Sequence, residues 1–283
     1  MSEIGKDIKL ALQYALPHRL ISRLIYYVTR VRWSPFKNLF IRQFARSFKV
    51  DWSEAERADA SLYVHFNDFF TRALKADARP LDPDLSVLLC PADGAISQCG
   101  DITQGRILQA KGMHYSAAEL LADDELATHF ENGSFATVYL SPRDYHRLHM
   151  PIRGRLLRTL HVPGRLFSVA GWTAERIPRL FARNERLVCI FETDHGLIAQ
   201  VLVGAINVSS IETVWSGTVT PPYAAVVVQR DETSQAIELQ RGAEMGRFNM
   251  GSTVIVLSER RLDLLMHAGQ AVRMGTAMAR WRD

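Results

Sequence analysis

The chain has 283 residues, 47% hydrophobic and 23% charged, a balance that excludes wholesale disorder and suits one sizeable core or two smaller ones. Its formal charge of +4 is unevenly spread: residues 1–50 hold ten Lys and Arg against Glu3 and Asp7, a net of +8, so the body is net acidic. Cys90, Cys99 and Cys189 have no paired or metal-like spacing and suit a reducing compartment. The start is polar and acidic rather than leader-like, and no uncharged run approaches the ~18 residues of a membrane span.

Residues 18–32 predict a helix, with Leu20, Leu24, Tyr27, Val28 and Val31 recurring at three- and four-residue spacing and Arg19, Arg23 and Arg30 on another face. Ser34-Pro35 caps a second helix through about residue 48, with Phe36, Leu39, Phe40, Phe44 and Phe48 on one side and Lys37, Arg42, Arg46 and Lys49 around the rest. An aromatic stripe beside cations is what a helix lying in an anionic lipid interface requires, so residues 1–50 are expected to be a basic membrane-associating arm. The competing expectation is that these rings pack on the protein's own core. Nucleic acid is not an expected partner, because the arm has no recognised binding motif and the body is acidic.

Residues 51–85 predict helical stretches that end in a turn at Arg79-Pro80 and Asp82-Pro83. Beyond them, short β-branched and apolar runs alternate with Gly, Asn and Asp turns. Strands are expected at 86–90, 106–110, 135–140, 154–161, 187–192, 197–203, 209–213, 223–228, 235–239 and 253–257, with helices at 116–122 and 258–266. The fold class is therefore α+β, a strand-dominated and mostly antiparallel core in residues 51–283 carrying the helical arm.

Three places in the body carry possible chemistry. His146 and His149 are three apart after Ser141-Pro142, and on a turn or short helix both rings would face one cleft as an acid–base pair. Buried hydrogen bonding is the other use of such histidines, and zinc would need further ligands that no motif supplies. Asp93 ends an apolar strand in Pro91-Ala92-Asp93-Gly94, where it could orient a histidine or simply form a turn. Gly251-Ser252-Thr253 enters the strand at 253–257. The glycine permits unusual peptide geometry, and an activated Ser252 hydroxyl could attack the Gly251 carbonyl. β-Elimination from the resulting ester would give dehydroalanine and then a pyruvoyl ketone. Read locally, the same tripeptide is also an ordinary turn into a strand. The P-loop, GxGxxG, HExxH and GxSxG signatures are absent.

These residues stand in a larger pattern: Phe69-Phe70-Thr71-Arg72 with Lys75 and Arg79-Pro80; Pro91-Ala92-Asp93-Gly94; the run from Tyr139 to Pro151 that contains both histidines; and Glu244-Met245-Gly246-Arg247-Phe248 leading into Gly251-Ser252-Thr253-Val254. Over about residues 15–265 the chain resembles the bacterial phosphatidylserine decarboxylase family in its larger, arm-bearing form. It departs from the family in Met250, where leucine is common, and in Ile152, where cysteine is frequent.

The resemblance implies self-cleavage between Gly251 and Ser252, giving a β chain of residues 1–251 and an α chain of residues 252–283 that stay associated. It implies Asp93, His149 and Ser252 as the cleavage triad, with Asp93 holding His149, and His146 in substrate handling and decarboxylation. The implied cofactor is the covalent pyruvoyl group made from Ser252, without metal or pyridoxal phosphate. The implied substrate is phosphatidylserine, joined to that ketone as a Schiff base and released as phosphatidylethanolamine after loss of CO2. The implied partner is an anionic membrane surface on the cytoplasmic face, with the oligomeric state left open. The rivals are a decarboxylase for another amino-acid-headed substrate, an unprocessed lipid-binding protein of this fold, and a hydrolase using Ser252 directly.

Overall fold

The computed structural model describes residues 10–206, 210–250 and 253–282. Its centre is a nine-stranded sheet in the order Val228–Asp231, Gly154–Val162, Arg186–Thr193, Gly196–Val203, Thr253–Ser258, Ser134–Tyr139, Gly94–Asp101, Ala271–Val272, with Glu238–Leu239 also pairing to Gly154–Val162. Every one of these pairings is antiparallel. Thr253–Ser258 lies in the middle, paired residue by residue with a strand on each side, and all six of its residues are buried. The β-branched run Val254-Ile255-Val256 suits a strand packed on both faces.

A four-stranded sheet, Gly217–Thr220, Ile211–Thr213, Glu244–Phe248, Arg147–His149, stands beside it, and a three-stranded sheet joins Val87–Leu89, Ala277–Trp281 and Leu262–Leu264. Arg106–Ala110 and Met113–Ser116 form a hairpin turned at Lys111 and Gly112, both at positive φ, as a tight two-residue turn requires. The helix expected at 116–122 is Ala117–Leu121, started by a Ser116/Glu119 capping box.

Three local expectations are corrected. Residues 258–266 contain no helix: Leu262–Leu264 is a strand, because pairing with Ala277–Trp281 overrides an apolar spacing that fits either element. The strand expected at 223–228 begins only at Val228, where the ladder to His161 starts, and runs to Asp231. In the stretch expected at 235–239 only Glu238–Leu239 is strand, after a 3-10 turn at Thr233–Gln235.

Among the described residues the amino-terminal region is helical at 10–15, then forms the helices His18–Val28 and Ser34–Phe48. Pro35 sits in the second helix's first turn as expected, but Ser34 does not cap it. Ser34 is the first helical residue, the cap position is Trp33 with no side-chain cap hydrogen bond, and Lys49 at φ 56° ends the helix. The aromatic stripe of that second helix is divided. Phe40 stacks on Phe66 at 4.2 Å, Phe44 meets Phe66, Phe69 and Phe70, and Ile41 and Ala45 are buried with them. Phe36, Leu39 and Phe48 remain exposed, so only part of the stripe is free to meet lipid. On the first helix Leu20 and Leu24 are 67% and 63% exposed. Among the described residues no helix is long and apolar enough to cross a membrane.

Candidate active site

One end of the central sheet gathers the segments singled out in the sequence. Thr253 opposes Tyr139 and Val203, and Tyr139 opposes Ala95. The Pro91–Gly94 turn, the 139–145 loop and Met250 therefore meet around the start of the Thr253–Ser258 strand. Gly94 has φ +155°, and a Cβ there would lie 2.2 Å from the Tyr139 carbonyl oxygen, so only glycine allows this approach. Gly251 and Ser252 lie outside the described residues. Their neighbours are informative: Met250 holds φ 142°, a region hostile to side chains, and the Thr253 hydroxyl is buried without a hydrogen-bond partner among the described residues.

Asp93 does not hydrogen-bond His149. Its carboxylate accepts from Arg79 Nε at 2.9 Å, from Arg79 Nη2, and from the Met274 amide at 2.9 Å. Arg79 also donates to Glu54 at 2.7 Å. Burial pulls the guanidinium's pKa down, but the hydrogen bonds from these two carboxylates outweigh it and leave it above the usual value.

His149 is oriented from elsewhere. Its Nδ1 donates to the Gly242 carbonyl at 2.8 Å, which leaves Nε2 as an acceptor, 3.1 Å from the Tyr145 hydroxyl. Its amide donates to the Pro91 carbonyl, tying the histidine strand to the Asp93 turn. Burial lowers its pKa, while the Gly242 hydrogen bond and the Glu244 and Asp93 charges push the other way. Asp93 thus reaches this imidazole through its field. The same burial raises the Tyr145 hydroxyl to about 12, so it remains a donor.

His146 sits differently. The expectation of a helical turn fails because Arg147–His149 is a strand, and three residues apart on a strand is not one face. The ring of His146 is fully buried, 4.1 Å from the Phe70 ring, with Nδ1 donating to the Asp144 carbonyl at 2.8 Å. Burial pushes its pKa down to about 3. The imidazole is neutral at physiological pH, and Nε2 is a buried lone pair with no partner. Leaving such an acceptor unpaired costs about 1–3 kcal/mol.

Phe69-Phe70-Thr71-Arg72 braces this arrangement. Arg72 donates to the Arg143 carbonyl at 2.9 Å, Arg147 donates to the Thr71 carbonyl at 2.9 Å, and Phe70 covers His146. Asn67 bonds Asn249 at 2.9 Å, fixing the chain just before Met250. Two cavities flank the 139–145 loop. One, of about 660 Å³, is charged and includes Arg72, Arg79, Asp93, Arg143 and Asp144 in its wall. The other, of about 230 Å³, is mostly apolar and joins Phe44 and Phe48 of the second helix to Tyr139, Val169 and Met250. Among the described residues no group of three His, Cys, Asp or Glu side chains is placed to hold a metal ion.

A family model described as phosphatidylserine decarboxylase matches residues 66–280. The chain belongs to that family. A second model, described as PSD, matches residues 8–49. Among the chain's relatives are three proteins called phosphatidylserine decarboxylase proenzyme. That of Alkalilimnicola ehrlichii is 57% identical over 257 residues, covering 90% of this chain and 89% of the relative. Those of Pseudomonas fluorescens and Pseudomonas aeruginosa are 56% identical over 274 and 273 residues, covering 94% of each chain. For a phosphatidylserine decarboxylase family member, sequence reasoning missed Glu54, Tyr145 as a partner of His149, Gly242 and Met274. Arg72 and Arg79 stood in the family pattern without a role. Apart from Tyr145 and His149, four residues apart, these groups meet across 14 or more residues of chain, where no local spacing points to them.

Proposed function

We propose that this chain is a phosphatidylserine decarboxylase made as a precursor, cut between Gly251 and Ser252, with Ser252 becoming the amino-terminal pyruvoyl group of the 252–283 chain. Family membership supports the activity. The observation that carries the cleavage site is the strained Met250 at the mouth of a fully paired central strand, beside Asp93-Gly94 and the histidine loop. Cutting there releases a strain of about 1–3 kcal/mol.

His149 is the base for the Ser252 hydroxyl. It is neutral at physiological pH, and its Nε2 is the accepting nitrogen. The charges of Asp93 and Glu244 support the imidazolium that forms. The buried Thr253 hydroxyl has no partner among the described residues and fits a carbonyl-bearing group at the preceding position; Thr253 and the 139–145 loop would hold that group. The pyruvoyl group supplies an electrophilic carbonyl that takes the substrate's amine and accepts the electron pair freed as CO2 leaves. His146, neutral with Nε2 open, would take a proton from the substrate's ammonium as the amine adds to the ketone and return that proton to the α-carbon once CO2 has left.

The charged cavity suits the headgroup, and the apolar one suits the first methylenes of an acyl chain. Residues 1–50 bring the site to the cytoplasmic face of an anionic membrane as a peripheral arm on the catalytic domain 51–283. The α and β chains remain together because Thr253–Ser258 is paired on both sides and buried. Phosphatidylserine in detergent micelles tests the reading. Wild-type protein is expected to release CO2 and form phosphatidylethanolamine, and Ser252→Ala to stay uncut and inactive. Full turnover by that variant would refute the pyruvoyl route.

A further inference from the structure

Outside the site, an apolar surface continues from the arm onto the β body. Val226 and Val227, in the loop before the edge strand Val228–Asp231, are 69% and 44% exposed, and Val228 is exposed as well. This loop begins beside the first helix. Arg19 and Arg23 of His18–Val28 line one side of a cavity of about 540 Å³ with Tyr26 and Tyr27, and Pro221 and Tyr223 line the other. The Arg19 guanidinium lies 5.9 Å from the Tyr223 ring centroid. Leu20 and Leu24 of the same helix are exposed in their turn.

We propose that residues 221–228 are a second lipid-contacting element, continuous with the His18–Val28 helix, and that Arg19 and Arg23 between them receive the phosphate of an anionic phospholipid. The proposal rests on the reading of the arm as membrane-associating and extends it to a loop of the catalytic body. Charge decides the occupant. Exposed valines flanked by arginines match an interface of acyl chains and phosphates, where apolar side chains enter and cations meet anionic headgroups. A second copy of the chain is the competing occupant, since Val228–Asp231 is a sheet edge. That edge is only four residues long and carries Arg230 and Asp231 exposed, features that discourage edge pairing. With lipid bound at both the helix and the loop, the body is held at two points and its orientation on the membrane is fixed.

The test uses the full chain and vesicles of phosphatidylcholine with or without phosphatidylglycerol, a lipid with no amine to react. Val226→Asp/Val227→Asp is expected to weaken sedimentation with both vesicles by at least about tenfold. Chain cleavage and turnover of a short-chain, soluble phosphatidylserine should be unchanged, which separates this proposal from the assignment of activity. Arg19→Gln/Arg23→Gln is expected to lose the preference for phosphatidylglycerol, roughly fivefold per arginine. Leu20→Asp/Leu24→Asp tests the arm separately. Wild-type binding by the valine variant would overturn the loop's role while leaving the arm's intact. An environment-sensitive dye at Val226→Cys, in a Cys99→Ser background, should shift to the blue on vesicles; an unmoved spectrum would also overturn it. So would a wild-type dimer that the valine variant dissociates, which would give the patch to a second copy.

Discussion

Replacing Arg79 by methionine keeps the aliphatic stem and removes the guanidinium that two acids share. In the structure the Arg79 and Asp93 side chains are 7% and 9% exposed, and Asp93 would keep only the Met274 amide as a donor. Breaking one partner out of a buried ion pair costs about 3–5 kcal/mol, because the remaining charge stays desolvated. Glu54 contributes little to the loss, since it retains Arg273 at 3.2 Å in a more exposed pair. The expected cost is therefore about 3–5 kcal/mol, a fall in Tm on the order of 10 °C. Urea unfolding of precursors that all carry Ser252→Ala measures it without interference from cleavage. Adding Asp93→Asn should recover most of the loss by removing the stranded charge. A cost under about 1 kcal/mol, the value of an exposed pair, or no recovery in the double variant, would refute the account of Asp93 as a buried carboxylate held by Arg79.

His146 links stability to pH. The folded chain keeps it neutral down to about pH 3, whereas unfolding restores a value near 6.5, so the unfolded chain binds the extra proton between those limits. Stability should fall as pH drops below about 6.5, and His146→Gln should remove about 1.4 kcal/mol per pH unit from that slope in urea titrations; an unchanged slope would contradict it. The same variant is expected to cut itself yet lose turnover, while His149→Gln stays uncut, as gel analysis and CO2 release would report. Gly94→Ala places a Cβ 2.2 Å from the Tyr139 carbonyl oxygen at a φ of +155°. It should yield a destabilised precursor that matures poorly, and normal maturation at normal Tm would show that the turn is free to move.

The central strand was legible because Val254-Ile255-Val256 is a continuous β-branched run, and the body's antiparallel texture followed from closely spaced turns. Asp93-Gly94 was legible as a strand end, and the structure adds the carbonyl contact that makes the glycine necessary. The histidine pair was misread. Arg147-Leu148-His149 carries no β-branched residue, and its strand exists only because Glu244–Phe248 pairs with it from nearly a hundred residues away. For the same reason Gly242, not Asp93, is the hydrogen-bond partner that fixes the tautomer of His149. Phe40 and Phe44 looked equivalent to Phe36 and Phe48 by spacing, but Phe66, Phe69 and Phe70 claim the first two. A periodicity marks an apolar face without saying what covers it.

The most direct test of self-processing is the intact mass of the purified protein with sequencing of its fragments. The account predicts a 251-residue chain and a 32-residue chain, the shorter one blocked to amino-terminal sequencing and reactive towards carbonyl reagents. A single unmodified 283-residue chain in folded, active protein would contradict it.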